Sequence, residues 1–308
     1  MPGLLLLLCC WLCLAAEPAL AQRPRRTPKP AAAAPISATD DPPAVQQQLF
    51  QAAAFAVRFQ DSEALGHYQA VLKTQPLHYL ALWQAAVLSV KIGQRYTDET
   101  RKQAYYDAAT DYANRALAVR PEGGEANYAA ALALFSQATL RHAKGRLAAY
   151  RELRSHVFLA TEKRPDLPEA WQLLGRWQYR LAHYNIVERL ASRLFLGATP
   201  AATSMEAMNS LERARDLAPN RLQFRYDLAR MYRYQGRRRR AIAELETAAG
   251  IMPLTSEDLI ISRLCRQMLP PLQRAAARRE RRLHHTLRVA PGAADGLGQP
   301  GAGAGQQP

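Results

Sequence analysis

Cysteine is scarce in this sequence, and its few copies are unevenly placed. Three of the four lie at Cys9, Cys10 and Cys13, inside an apolar N-terminal stretch. We predict that this stretch is removed, which leaves Cys265 alone in the mature chain. A single cysteine excludes an internal disulfide and any metal site built from several cysteines. Because Cys265 falls on a helical apolar pattern, we expect a packed thiol rather than a reactive one.

Catalytic motifs are also missing from the sequence. There is no His-Glu-x-x-His zinc motif, no Gly-x-Ser-x-Gly nucleophile turn and no glycine-rich phosphate loop, and the seven histidines are dispersed. Nothing in the chain therefore brings together the groups that proton transfer or nucleophilic attack requires. We predict that the protein is not an enzyme and that it holds neither a metal nor a cofactor.

Negative charge is in short supply, with 26 acidic residues against 41 basic ones and a formal net charge of +15. Lysine supplies only six of the basic residues, so arginine carries most of the charge. Four arginines are consecutive at Arg237–Arg240. Since no DNA- or RNA-binding motif accompanies this run, we interpret it as a solvated turn and do not expect a nucleic-acid partner.

The N-terminus has the pattern of a targeting segment. Leu4–Ala16 is apolar, Pro18 ends the apolar stretch, and Ala19–Ala21 forms a small-residue cleavage site before Gln22. The apolar core is short for a membrane span. We expect a signal peptide at 1–21, cleaved after Ala21, with an uncleaved anchor as the alternative. This predicts an exported protein, periplasmic or secreted, with no integral membrane span in the mature chain.

What the sequence does contain is a repeat of 34 residues, seen most clearly in Leu222–Thr255. Small and large residues alternate there at the spacing of a tetratricopeptide (TPR) unit, which is a helix–turn–helix. Gly236 stands where the first helix must turn, and Pro253 follows the second helix. The remaining diagnostic positions are filled by Leu228, Ala229, Tyr232, Ala241, Leu245 and Ala248. Alanines at three of them let the two helices approach closely.

Earlier prolines mark the ends of further units. Pro76, Pro121, Pro165 and Pro219 each follow an alanine-rich amphipathic run, at spacings that leave insertions of 11, 10 and 20 residues in the middle units. The insertions are expected as long loops or extended helices. We therefore predict an all-α fold, a TPR-like right-handed superhelical solenoid of about five helical hairpins plus a C-terminal capping helix.

The ends of the chain have a different composition from this solenoid. The predicted TPR-like domain covers 45–283, and its last helix is expected to break or kink at Pro270-Pro271. A basic linker rich in proline and alanine, 22–44, precedes the domain, and a tail, 284–308, follows it. Both segments lack an apolar period, so we predict that both are disordered.

The first helices of TPR hairpins line a concave surface, and the repeat positions identify the side chains expected there. They give a groove with an apolar, aromatic half and an arginine/tyrosine half. The candidates are Trp83, Tyr128, Phe135, Arg176, Tyr179, Arg180, Tyr226, Arg230, Arg233 and Tyr234. Arginine presents a planar fork to a carboxylate or phosphate, so the groove would take an acidic peptide or an anionic lipid headgroup. Alternatively, inserted helices fill the groove and the apolar residues belong to the core.

Three segments resemble the regulator of microtubule dynamics family. In Pro168–Trp177 a Leu-Gly-Arg-Trp sequence precedes the Leu-Glu-Arg type of helix at Val187–Ser192, and Ser256–Leu259 matches the family's Ser-Glu-Asp-Leu helix start. The likeness covers roughly Gln46–Leu272. It implies a TPR-like all-α domain without catalytic residues. Animal members associate with microtubules, and one resembles a contact-site tether that carries phospholipid.

Three functional hypotheses follow from the sequence. The leading one is a non-enzymatic scaffold for protein partners in the cell envelope. The second is a carrier or sensor of an anionic lipid or envelope polymer in the groove. The third is microtubule association, which requires that 1–21 is an uncleaved anchor with the domain facing the cytosol.

Overall fold

The computed structural model describes residues 41–184, 190, 194 and 202–289, with side chains as far as residue 282. Within these residues there are eleven helices and no strand. The helices are α1 (Pro43–Val57), α2 (Asp61–Thr74), α3 (Tyr79–Arg95), α4 (Glu99–Val119), α5 (Gly124–Ala138), α6 (Ala143–Lys163), α7 (Pro168–Ala182), α8 (Ser204–Leu217), α9 (Leu222–Tyr234), α10 (Arg238–Ala249) and α11 (Ser256–Val289).

The first ten helices form five hairpins, and α11 packs on the last of them. The predicted all-α solenoid of five hairpins with a terminal helix is confirmed. α1 begins two residues before the predicted start of the domain, and α11 extends past its predicted end at 283. The predicted signal peptide and most of the predicted linker and tail lie outside the described residues.

Prolines end the hairpins where the repeat predicted. α2, α4, α6 and α8 each end two residues before a proline, which has no N–H to donate and disfavours helix in the residue before it. The insertions in the second and third units are taken up by α4 and α6, each 21 residues long. The insertion in the fourth unit falls largely outside the described residues.

The turn after α9 depends on Gly236, whose φ is +70°. The N–H of Gly236 donates to the carbonyl of Arg233 at 3.1 Å, and the N–H of Arg237 donates to that of Tyr232 at 2.8 Å. These two bonds satisfy carbonyls that the end of a helix otherwise leaves without partners. Glycine reaches positive φ without steric cost, so the residue predicted at this turn is the one its geometry requires.

Several apolar clusters form the core along the hairpins, and α5 is the most completely buried of the described helices. Thirteen of the fifteen residues of α5 are buried. Seven of its positions are alanine or glycine, which lets α3, α4, α6 and α7 pack close to it. A helix that is apolar around most of its circumference is buried on all sides.

α11 covers the apolar face of the last hairpin with Ile261, Cys265, Met268 and Leu272. Their spacing of three or four residues is that of one helical stripe. Cys265 is 1% exposed, which confirms the predicted packed thiol. The helix continues through Pro270-Pro271 to Val289, so a break at the two prolines was the wrong prediction. None of the described helices is both long and apolar enough to cross a membrane.

A salt bridge connects the first hairpins to the last helix. Arg95, at the end of α3, donates from Nη2 to Asp61 at the start of α2 and from Nε to Glu257 in the first turn of α11. Arg95 and Glu257 are 162 residues apart in the sequence. We call Arg95, Asp61 and Glu257 the clasp.

The loop between α1 and α2 meets the last hairpin beside the clasp. Phe59 has a φ of +61°, a left-handed conformation that costs a residue with a side chain about 1 kcal/mol. Its ring helps to line a cavity of about 400 Å³ whose apolar wall is Leu222, Ile251, Met252 and Leu254. Residues from both ends of the solenoid therefore lie against one another.

Candidate functional site

The candidate site is the face formed by α7 and α9, the first helices of the fourth and fifth hairpins. Along α7 and the residue that follows it, Gln172, Arg176, Tyr179 and His183 recur every three or four residues and therefore project from one side of the helix. Their contacts with α9 and α5 show that this side faces the neighbouring first helices. Of the side chains predicted for the arginine/tyrosine half of the groove, Arg176, Tyr179 and Tyr234 make contacts on this face.

A buried carboxylate ties the two helices together. Asp227 on α9 is 7% exposed, and its Oδ2 accepts a hydrogen bond of 2.7 Å from Nε2 of Gln172. The Nε of Arg176 lies 4.0 Å from the same oxygen, and its guanidinium lies over the ring of Phe135 at 5.1 Å. Because Arg176 already contacts a carboxylate and an aromatic ring within the fold, fewer of its N–H groups are available to a partner.

Three aromatic rings form a cluster farther along the same face. Tyr179 stacks on His183 with ring centroids 4.0 Å apart, and Tyr234 of α9 lies edge-on to both, at 6.0 and 3.8 Å. The Nδ1 of His183 donates to the carbonyl of Tyr179 at 2.6 Å, which makes Nε2 the acceptor nitrogen. Nε2 has no hydrogen-bond partner. Tyr234 is 58% exposed, so the cluster offers an aromatic surface with a polar tip to solvent.

Three arginines lie near this cluster along α7 and α9: Arg180 follows Tyr179, Arg233 precedes Tyr234, and Arg230 lies one helical turn before Tyr234. Arg180, Arg230 and Arg233 are exposed, and none of them forms an ion pair with a described residue. The guanidinium of Arg230 lies 5.6 Å from the centre of the Tyr226 ring, a contact that leaves its N–H groups free to bind outward. The arrangement can bind carboxylates or phosphates by paired hydrogen bonds beside an aromatic platform.

The apolar half of the predicted groove is packed into the core. Tyr128 and Phe135 on α5 are 7% and 8% exposed, and Trp83 is half-buried between two apolar clusters. Burial raises the pKa of Tyr128 far above the ordinary phenol range, and the nearby charge of Glu169 adds to the shift, so the hydroxyl stays protonated. These placements fit the alternative in which the apolar residues are core. That a partner uses the groove stays a prediction.

Two residues of the face were not predicted from the sequence. Asp227 lies between the repeat positions that line the groove, and a single acid in an arginine-rich helix was the available signal. His183 lies one turn beyond Tyr179, after the last position of the repeat pattern that we used. No group of three or more His, Cys, Asp or Glu side chains in the described part of the chain could hold a metal ion.

A solved structure shares this fold. A thermophilic TPR protein from Thermus thermophilus is 19% identical, with a TM-score of 0.51, and the match covers 72% of this chain and 97% of that one. At this identity the likeness supports the TPR-like fold alone.

Sequence relatives come from vertebrates. Regulator of microtubule dynamics protein 3 of Mus musculus is 25% identical over 178 residues, which are 58% of this chain and 38% of the relative. The Xenopus laevis protein of the same name is 29% identical over 118 residues, 38% of this chain and 26% of the relative. The matches thus span well under half of these relatives. A family model described as Regulator of microtubule dynamics protein 1-3 matches residues 49–273. The chain therefore belongs to the regulator of microtubule dynamics protein 1-3 family.

Proposed function

We propose that this protein is a non-enzymatic scaffold that binds an acidic segment of a protein partner along α7 and α9. The observation that carries the proposal is the aromatic cluster Tyr179–His183–Tyr234, with three exposed arginines beside it in the chain that form no ion pair with a described residue. Each exposed guanidinium can form two parallel hydrogen bonds with one carboxylate. The rings supply rigid contact area, and tyrosine and arginine are the residue types that dominate binding energy at interfaces.

The partner segment would lie across both helices. Asp227 and Gln172 hold α7 and α9 in register, so the arginines of the two helices present a preformed surface. Because the spacing of the two helices is fixed, the backbone need not rearrange on binding, which favours affinity. The proposed location is the cell envelope, reached by export through the predicted signal peptide at 1–21.

The other two hypotheses remain as outcomes of the tests. A lipid carrier needs an apolar cavity for acyl chains, and the burial of Tyr128 and Phe135 in the core argues against one on α5. The names of the relatives refer to microtubule dynamics. Finding that the domain faces the cytosol and binds an acidic partner there would favour the microtubule hypothesis for this chain.

Site-specific photocrosslinking tests the scaffold proposal. In one variant a photoreactive phenylalanine analogue replaces Tyr234. In a second variant of the same chain it replaces Phe50, which is 76% exposed on α1. We expect a discrete protein adduct from position 234 and none from position 50. The adduct should disappear in Arg230→Glu/Arg233→Glu, because reversed charge repels an acidic segment.

The matched control is Arg151→Glu/Arg213→Glu, which makes the same charge change at two exposed arginines outside the site. Loss of the adduct in this control, or equal adducts from positions 50 and 234, would place the partner elsewhere. Native mass spectrometry of the same protein reads the N-terminus and any co-purifying lipid. A start at Gln22 supports export, an intact Met1 contradicts it, and a bound lipid favours the carrier.

A further inference from the structure

A second cationic surface lies at the edge of the last hairpin. The arginine run at the turn between α9 and α10 faces the middle of α11, and together they line a cavity of about 380 Å³. Its walls contain Arg237, Arg238, Arg239, Arg240 and Arg279, with Glu280 as the one acid. None of the proposed partner-binding residues on α7 and α9 lines this cavity. We call it the arginine pocket.

The charges of the arginine pocket are only partly compensated. Arg239 pairs with Glu280 at 2.9 Å, and Arg240 lies 3.7 Å from Glu212. Arg237, Arg238 and Arg279 form no ion pair with any described residue. Gathering like charges without counter-charges costs free energy in the folded chain, and an anion in the pocket would recover it.

We infer that the arginine pocket binds a ligand that carries two or more closely spaced phosphate groups. A phosphate presents several acceptor oxygens to the planar arginine fork, and adjacent phosphates match guanidiniums that come from two different elements. A volume of about 380 Å³ holds a group the size of a sugar phosphate but not a helix. The phosphates can belong to a lipid headgroup or to a soluble polyphosphate, and the chemistry of recognition is the same.

Isothermal titration of the full chain with tripolyphosphate tests this inference. We expect binding by the unaltered protein and at least about a tenfold loss of affinity in Arg238→Glu/Arg279→Glu, because hydrogen bonds to charged groups carry that much free energy each. Inorganic orthophosphate should bind much more weakly. Arg151→Glu/Arg213→Glu and Arg230→Glu/Arg233→Glu should bind tripolyphosphate as the unaltered protein does.

Three results would overturn the inference. They are no binding of tripolyphosphate, equal losses in the control variants, or equal affinity for tripolyphosphate and orthophosphate. The second would show diffuse attraction to the whole cationic surface. Since Arg230→Glu/Arg233→Glu is the variant that tests the scaffold proposal, failure of the one proposal is distinguishable from failure of the other.

Vesicle sedimentation identifies the source of the phosphates. Phosphatidylcholine vesicles with a bisphosphorylated inositol lipid are compared with phosphatidylserine vesicles of equal surface charge. Retention by the first alone, lost in Arg238→Glu/Arg279→Glu, assigns a lipid headgroup. Binding of tripolyphosphate without retention on either vesicle assigns a soluble ligand. Equal retention on both vesicles by every variant contradicts a defined pocket.

Discussion

At Gly175 the side-chain hydrogen faces Leu211 of α8, and this contact sets the distance between α7 and α8. A Cβ there would lie 2.6 Å from Cγ of Leu211 and 3.0 Å from the carbonyl oxygen of Ala207. Leu211 is 2% exposed and cannot move aside freely. The absence of a Cβ at Gly175 therefore permits the close packing of α7 against α8.

Replacing Gly175 with alanine should lower the free energy of unfolding by about 1–3 kcal/mol, the usual cost of overpacking a core. Urea denaturation measures it. Gly66→Ala is the matched control, since a Cβ at Gly66 on α2 would meet nothing within 4 Å. There alanine should stabilise the helix by up to about 1 kcal/mol. Similar effects from both substitutions would contradict the close approach at Gly175.

Cys265 should resist modification in the folded protein. Burial raises the pKa of its thiol to about 11, so almost no thiolate exists at pH 8. With Cys9, Cys10 and Cys13 replaced by serine, a thiol reagent should react with the native chain far more slowly than with the urea-unfolded chain. Equal rates would show that the Cys265 thiol is not packed between α11 and the last hairpin.

Among the helices, α5 explains why the groove could be only partly predicted. Repeat positions placed Tyr179 of α7 and Tyr234 of α9 on facing sides of their helices, and the two rings are in contact. They could not indicate how close α5 lies to the surrounding helices, because that distance depends on the seven alanine and glycine residues of α5. The hairpins themselves were predictable because proline ends a helix through local stereochemistry.

The clasp and the arginine pocket were beyond prediction for a related reason. Arg95 lies on the second hairpin and Glu257 on the terminal helix α11, and no local sequence pattern indicates which helix ends meet after five repeats. The sequence favours a solvated turn at Arg237–Arg240 because it does not show that α11 lies next to this run.

α11 should consist of two parts with different stability. Up to Leu272 it packs on the last hairpin. Beyond that residue several arginines are exposed, among them Arg274, Arg278, Arg281 and Arg282. Pro270 and Pro271 lack the N–H groups that would donate to the carbonyls of Arg266 and Gln267, which weakens the helix just before the two parts meet. We expect strong protection of amides 261–269 from hydrogen exchange and weak protection of 273–282. Pro270→Ala/Pro271→Ala should extend the protection toward residue 282. Uniform protection in the unaltered protein would contradict the division.

At the scale of the whole molecule, the clasp joins residues that the repeat itself would leave apart. Arg95→Met removes both of its bonds and leaves Asp61, which is 5% exposed, without a cation. Breaking a buried pair on one side costs about 3 kcal/mol, whereas Glu257→Gln removes a more exposed partner and should cost about 1 kcal/mol or less. Thermal unfolding measures both. A smaller effect from Arg95→Met than from Glu257→Gln would contradict this ranking.

The contribution of Glu257 should depend on pH. Burial alone would raise the pKa of Glu257, but the hydrogen bond and charge of Arg95 outweigh burial and hold that pKa below its ordinary value. A lowered carboxyl pKa stabilises the fold at neutral pH, and this stabilisation is lost as pH falls through the folded-state value. The difference in unfolding free energy between the unaltered protein and Glu257→Gln should therefore shrink as pH falls below the ordinary glutamate pKa of about 4.3 and vanish only below the lower folded-state value. A difference that persists or grows in acid would contradict the role of the charge.

The clasp also changes how the repeats must fold. In an open array of repeats each unit touches only its neighbours, so a terminal hairpin can fray by breaking one interface while the others stay intact. Here Arg95 and the Phe59 loop give the first hairpins a second attachment, to residues near the other end of the chain. Fraying must break both attachments at once. Forming the end-to-end contact closes a long stretch of chain, and the conformational entropy lost in that step slows folding. The contact also makes the last event of assembly cooperative.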